Sequence, residues 1–284
     1  ILAGAGSGKT RVLTQRAAWL ILEKNFAPEN LLLLTFTNKS AGEMKNRVLK
    51  LLGANKITGS PYAGTFHSFS ARVLRESGKY SDIPPGFVIY DTNDQIDIVK
   101  EVFQILDIDP KRFSPQSALS AISNAKNELI DPVEYSSMAR GEWQTRAALV
   151  YTEYQKFLKK NEALDFDDLL FETVKLFKTV PEVLEKYQKR YKYVLVDEWQ
   201  DTNKAQYAIT KLLVSKHAGL TVVGDASQSV YSWRGADYRN LTYLAKDFPN
   251  LTTINLEQNY RSTQKILDAA YSVISRNKNH PILQ

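Results

Sequence analysis

Cysteine is absent from the 284 residues. That excludes disulfides and thiolate metal sites, and nothing in the chain requires an oxidising compartment. No apolar run in these residues reaches membrane-spanning length and no signal-peptide pattern is seen in them, so a cytoplasmic location is the expectation. An initiator Met is also lacking. Ile1 falls inside an expected strand, so the sequence reads as cut at its front, a fragment of a longer chain. What is present is ordinary for a globular protein, 43% hydrophobic and 24% charged. The length suggests about two domains at roughly 150 residues each. A net charge of +6 permits nucleic-acid binding without requiring it.

The strongest local signal is the opening stretch Ile1-Leu2-Ala3-Gly4-Ala5-Gly6-Ser7-Gly8-Lys9-Thr10-Arg11. It reads as a strand end, a turn of small residues, then a helix. Small residues let backbone N–H groups wrap a polyphosphate closely, a Lys reaches the outer phosphates, and a hydroxyl can ligate Mg²⁺. Ala3 stands where the general pattern has its first Gly, a mild departure because Ala is still small. The plainer alternative is a Gly/Ser linker before a helix. The apolar strand in front and the amphipathic run Val12, Leu13, Arg16, Ala17, Leu20 behind favour the phosphate loop.

Strand and helix signals then alternate. Leu31 to Phe36 is a continuous apolar run, as in a strand covered on both faces. Thr37-Asn38-Lys39-Ser40-Ala41 caps a helix with Met44, Val48, Leu51 and Leu52 on one side, and Thr65-Phe66-His67-Ser68-Phe69 enters another. This order predicts a parallel sheet with functional loops at the carboxyl ends of its strands. From Thr92 to about Phe177 the pattern turns helical. Thr92-Asn93-Asp94-Gln95 fits a capping box, Ser114-Pro115 opens a helix carrying Leu119, Ile122 and Leu129, and Asp165-Phe166-Asp167-Asp168 opens a later one. Three nearby aspartates invite a metal-site reading, but a capped helix start is the simpler account.

The sheet pattern resumes at Tyr193-Val194-Leu195-Val196, which runs into Asp197-Glu198. A buried strand ending in two carboxylates suits metal binding by the first acid and proton acceptance from an attacking water by the second. A further strand, Leu220 to Asp225, leads to a polar, aromatic loop. There Gln228 is suited to sense a γ-phosphate, and Tyr231 and Trp233, with Arg234 beside them, offer stacking faces to unpaired bases. A core position for Trp233 is the alternative.

Taken together, Ala3–Thr10, Thr35–Ala41, Thr65–Phe69, Asp197–Asn203, Gly224–Ala236 and Leu256–Ser262 form an ordered set. It resembles the front part of a superfamily 1 DNA helicase of the UvrD/PcrA/Rep type, with Trp199 where that family more often has Phe or Tyr. The resemblance implies a RecA-like parallel sheet of the P-loop NTPase class with an inserted all-helical subdomain. It divides the chain into a first part of the lobe (1–70), the helical insertion (71–190), a second part of the lobe (191–257), and a hinge with the start of a second lobe (258–284). It implies ATP and Mg²⁺ as cofactors. Ala3, Gly4, Ala5, Gly6, Ser7, Gly8, Lys9, Thr10 and Arg11 would cradle the nucleotide, Thr10 and Asp197 would hold the metal, and Glu198 would be the catalytic base. Gln228 would couple the γ-phosphate to the DNA groove, Tyr260 would stack on adenine, and Arg261 would reach the γ-phosphate.

Phe36, Asn38, His67, Tyr231, Trp233 and Arg234 match positions that line a single-stranded DNA path. The implied partners are single-stranded DNA and single/double-strand junctions, with DNA-repair or replication proteins, and no membrane. The expected function is therefore a fragment of an ATP-dependent translocase that unwinds duplexes, inactive as a motor by itself because the second lobe and its arginine are expected to be missing. The alternatives are a non-catalytic DNA- or partner-binding module and the first lobe of a recombination helicase–nuclease subunit.

Overall fold

Leu31, Leu32, Leu33 and Leu34 are all fully buried, as a run without alternation must be in a strand covered on both faces. They form the heart of a parallel sheet in a computed structural model that describes residues 1–53, 59–216, 219–229 and 239–276. In chain order the elements begin with β1 (Leu2–Ala3), α1 (Lys9–Leu22), β2 (Leu31–Thr35), α2 (Asn38–Leu52), β3 (Tyr62–Thr65) and α3 (Phe66–Ser77). There follow β4 (Val88–Tyr90), α4 (Thr92–Ile105), α5 (Pro115–Asn127), α6 (Pro132–Met138), α7 (Gly141–Lys160), β5 (Ala163–Asp165), α8 (Phe166–Thr179) and α9 (Pro181–Arg190). The last are β6 (Tyr193–Val196), α10 (Lys204–Val214), β7 (Leu220–Val222), α11 (Asn240–Asp247), β8 (Asn255–Leu256) and α12 (Gln264–Ile274).

These elements form two compact units. The first comprises Ile1–Phe66, Glu185–Asn203 and Thr210–Gln284, and the second His67–Leu184 with Lys204–Ile209. In the first unit the sheet order is β3-β2-β6-β7, every pairing parallel. A bridge from Leu2 to Gly224 carries it on to the parallel pair β1–β8. One face of the sheet presents Leu31, Leu33, Leu195 and Val223 to Leu13, Ala17, Leu20 and Ile21 of α1 and to Met44, Val48 and Leu52 of α2. The three apolar positions of α2 fall at helical spacing and bury one stripe, each such side chain contributing about 1.5–3 kcal/mol. Leu51, expected on that stripe, is exposed, because one residue before Leu52 on a helix lies about 100° away from it. Thr37 caps α2 as expected, its Oγ1 accepting from the Ser40 N–H at 3.1 Å.

The second unit packs Ile98, Val99, Val102 and Phe103 of α4 against Ala118, Ile122 and Ala125 of α5 and Val150, Tyr151, Tyr154 and Leu158 of α7. Three details differ from the sequence pattern. The capping box of α4 is built by Asp91 and Asp94, one residue earlier than Thr92, because Asp91 keeps the extended backbone and accepts from the Asn93 and Asp94 N–H groups. Helix α5 ends at Asn127 and Leu129 lies beyond it in a left-handed conformation, φ 61°. The unit also contains a parallel ladder, β4 against β5, each strand only three residues long and therefore too short to show a period. That ladder ends at Asp165, whose carboxylate caps α8 in a capping box with Asp168. The three aspartates are thus a helix start, and among the described residues no cluster of three or more His, Asp or Glu side chains is arranged to hold a metal ion.

Candidate functional site

The phosphate-loop sequence folds as a tight turn between β1 and α1. Gly6 and Gly8 take φ of 73° and 94°, values that L side chains avoid. Gly8 sits at the N-cap of α1, no side chain caps that end, and the first turn holds no acidic residue. The first-turn N–H groups therefore have no side-chain cap among the described residues, with the positive end of the helix dipole behind them. Ser7 Oγ stiffens the turn by donating to the Gly4 carbonyl at 2.7 Å.

Asp197 and Glu198 reach this turn from the carboxyl end of β6. Thr10 Oγ1 donates to Asp197 Oδ2 at 2.8 Å, and Lys9 Nζ lies 3.3 Å from Glu198 Oε2. Burial raises the Asp197 carboxyl above its ordinary value, partly offset by the Thr10 hydrogen bond. Glu198 adopts a left-handed backbone, φ 52°, and its N–H donates to Asp197 Oδ1 at 3.1 Å. A non-glycine residue in that region stores strain, and here it turns the second carboxylate toward Lys9 while the first faces Thr10. The two oxygens of Thr10 and Asp197 form a hard donor pair of the type Mg²⁺ accepts, so the residues present fit that ion.

The segment from Asn259 to Arg261 closes onto the loop. Asn259 Nδ2 donates to the Ala5 carbonyl, and the Tyr260 N–H donates to the Gly6 carbonyl at 3.0 Å. A Cβ at Gly6 would lie 2.6 Å from Arg261 Cβ, so only glycine allows this approach. Tyr260 is 80% exposed, its ring available to a planar ligand. Gln228 Nε2 donates to Asp225 Oδ2 just beyond β7, an engagement within its own segment. Ala3 is buried at the end of β1, Ala5 and Arg11 sit on the loop and on the first turn of α1, and Arg11 is exposed.

The residues expected to meet DNA are distributed differently. Phe36 and Asn38 flank the α2 cap at the carboxyl end of β2, Phe36 edge-on to Phe66 with ring centroids 6.3 Å apart. His67 belongs to the second unit, where its ring meets Phe166 edge-on at 6.1 Å. Tyr231, Trp233 and Arg234 lie outside the described residues.

Two residues of the site had no assigned role in the sequence reading. Asn259 docks its segment on the phosphate loop, and Gln200 bonds both Glu198 and Asp225, with Nε2 2.9 Å from Glu198 Oε2 and Oε1 2.9 Å from the Asp225 nitrogen. Their only sequence signal was position, next to Tyr260-Arg261 and to Asp197-Glu198; an amide side chain in a polar stretch does not announce its partners.

The sequence that builds this arrangement matches that of a known group of proteins. Residues 1–249 match the model of the UvrD/REP helicase N-terminal domain. Over 279 residues, 98% of this chain, the sequence is 51% identical to an ATP-dependent DNA helicase PcrA of Bacillus subtilis and 52% identical to one of Staphylococcus aureus. A relative of the same name from Staphylococcus epidermidis is 50% identical over 277 residues. The chain spans about 38% of the length of each of these relatives.

Proposed function

We propose, for a chain that belongs to the UvrD/REP helicase N-terminal domain family, that it is the nucleotide-binding part of an ATP-driven motor on single-stranded DNA. The relatives' name, ATP-dependent DNA helicase, is consistent with this. The observation that carries the reading is the meeting of Lys9 and Thr10, at the start of α1, with Glu198 and Asp197, at the end of β6.

In this reading the open N–H groups of α1 and the Lys9 ammonium receive the phosphates of ATP. Lys9 then leaves Glu198 for the phosphate oxygens. Thr10 and Asp197 would hold Mg²⁺, whose positive charge would help offset that of the phosphates. Freed of Lys9, Glu198 Oε2 accepts a proton from the water whose oxygen bonds to the γ-phosphorus, as the bond to the ADP oxygen breaks. Arg261, carried against the loop by Asn259, adds positive charge on the γ side, and Tyr260 stacks on the base. Phe36 and Asn38 at the end of β2 are assigned to single-stranded DNA, and His67, Tyr231, Trp233 and Arg234 take the same role on the strength of the sequence motifs alone. Stacking tolerates any base sequence and is worth about 1–3 kcal/mol per base, which suits a motor on arbitrary DNA.

The test is single-turnover hydrolysis of radiolabelled ATP by the wild-type chain and by Glu198→Gln. The variant should bind nucleotide like the wild type and hydrolyse it roughly 10²–10⁴-fold more slowly. Equal hydrolysis by both would remove Glu198 from the chemistry. Binding without hydrolysis by the wild type would favour a non-catalytic binding module.

A further inference from the structure

Gln200 is buried, 1% exposed, in a site where both ends of its side chain are used. Its carbonyl oxygen accepts the Asp225 N–H at 2.9 Å, which forces the amide nitrogen toward two carboxylates, Glu198 Oε2 at 2.9 Å and Asp201 Oδ2 at 3.2 Å. Its own backbone carbonyl accepts Ser229 Oγ at 3.3 Å. A Cβ placed on Gly224 would stand 3.0 Å from Gln200 Oε1, so the segment after β7 passes tightly against this amide.

What lies on the far side of Gln200 is a segment organised on one residue. Asp225 Oδ1 accepts the Ser227 N–H at 2.9 Å, the Asp225 carbonyl accepts the Gln228 N–H at 3.0 Å, and Asp225 Oδ2 accepts Gln228 Nε2. Gln200 anchors Asp225, and Asp225 anchors Ser227 and Gln228. On the near side, Glu198 Oε2 is shared between Gln200 and Lys9. When Lys9 turns to a phosphate, Gln200 is the remaining hydrogen-bond donor described on that oxygen.

We infer that Gln200 is the positioning residue of this site: it holds Glu198 and transmits the state of the nucleotide loop to residues 225–229. This rests on the nucleotide reading above. A carboxylate that loses its Lys9 partner pulls harder on the Gln200 amide, and the same rigid amide group holds the Asp225 N–H, so a change at Glu198 is felt at Asp225 through two hydrogen bonds. Buried polar groups bonded at every atom leave no slack for the two ends to move independently.

The experiment is hydrogen exchange followed by mass spectrometry on peptides covering 225–229, with and without Mg²⁺ and a non-hydrolysable ATP analogue, alongside calorimetric binding and thermal unfolding. In the wild type, nucleotide should change exchange in 225–229. In Gln200→Met, which fills the volume but has no donor and only a weak acceptor, affinity should stay within about twofold. Exchange there should become faster by on the order of tenfold, one hydrogen bond's worth, and the response to nucleotide should vanish. Gln200→Glu provides the second arm if the Met variant unfolds. It keeps an acceptor for Asp225 but faces Glu198 and Asp201 with a like charge, so exchange without nucleotide should remain slow while the response is lost. A variant that keeps the nucleotide response, or a wild type that binds nucleotide with no response at 225–229, overturns the inference. A wild type that binds no nucleotide overturns the site reading itself, and this inference with it.

Discussion

Among the described residues, the clusters that Lys9 and Lys126 each form with two aspartate or glutamate carboxylates are built to opposite ends. In the sheet unit, Lys9 pairs with Glu198, whose side chain is 38% exposed, and Asp197 is held by a hydroxyl. In the helical unit, Lys126 lies 2.6 Å from Asp165 and 2.8 Å from Asp168, with side-chain exposures of 0%, 2% and 0%. Tyr154 donates to Asp165 at 2.9 Å, Gln155 to Asp168 at 3.2 Å, and the two aspartates complete the capping box of α8. The second cluster spends its hydrogen bonds internally and is sealed from water. The first stands at an uncapped helix end with one carboxylate open to solvent. Residue types alone do not separate a ligand site from a structural one; what separates them is whether the charges still have a partner to gain.

The sharpest way to break the comparison is to remove each lysine. Lys126→Met leaves two carboxylates in a dry interior and should destabilise the protein by about 3–5 kcal/mol, the usual effect of breaking a buried pair. Chemical denaturation measures it, and a loss below about 1 kcal/mol would show that the second cluster is not structural. Less severe is Tyr154→Phe, which takes one donor from Asp165 and should cost about 1–3 kcal/mol in the same assay.

The smallest effect is on pH dependence. Burial first, and the Asp165 charge second, push the Asp168 carboxyl from 3.8 up to about 7, with Lys126 opposing. Burial also raises Asp167. For Lys126 burial acts to lower the pKa, but Asp165 and Asp168 outweigh it and the ammonium is held above its usual range. Because the native state keeps the Asp168 proton more tightly than the unfolded chain, its contribution to stability is full below about pH 3.8 and is lost as pH rises through about 7. Thermal melts across that window should show a downward slope in stability that Asp168→Asn flattens. An unchanged slope in the variant would assign it to other groups.

How much of this was legible beforehand follows from the range of each interaction. The phosphate loop, the buried β2 run, the Thr37 cap and the aspartate start of α8 are local, written within a few consecutive residues, and they stood out in the sequence. Lys126 and Asp165 are 39 residues apart, and nothing near Lys126 marks it as buried, since lysine is almost never fully buried unless paired. Asn259 meets Ala5 across 254 residues, so the reason Gly6 must be glycine lies in a segment far down the chain. The one-residue shift of the α4 cap to Asp91 reflects a choice between adjacent capping residues that backbone conformation decides.

The central claim is that the open cluster at Lys9 awaits an anionic ligand. Titration calorimetry of a Mg²⁺–ATP analogue into the wild type and Lys9→Ala, each checked by thermal melting, tests it most directly. The account predicts binding by the wild type and a loss of about 10–100-fold in the variant, matching the 1.5–3 kcal/mol of charged hydrogen bonds, with the melting temperature little changed. Equal affinity in both proteins, or a melt as damaged as that of Lys126→Met, would contradict it.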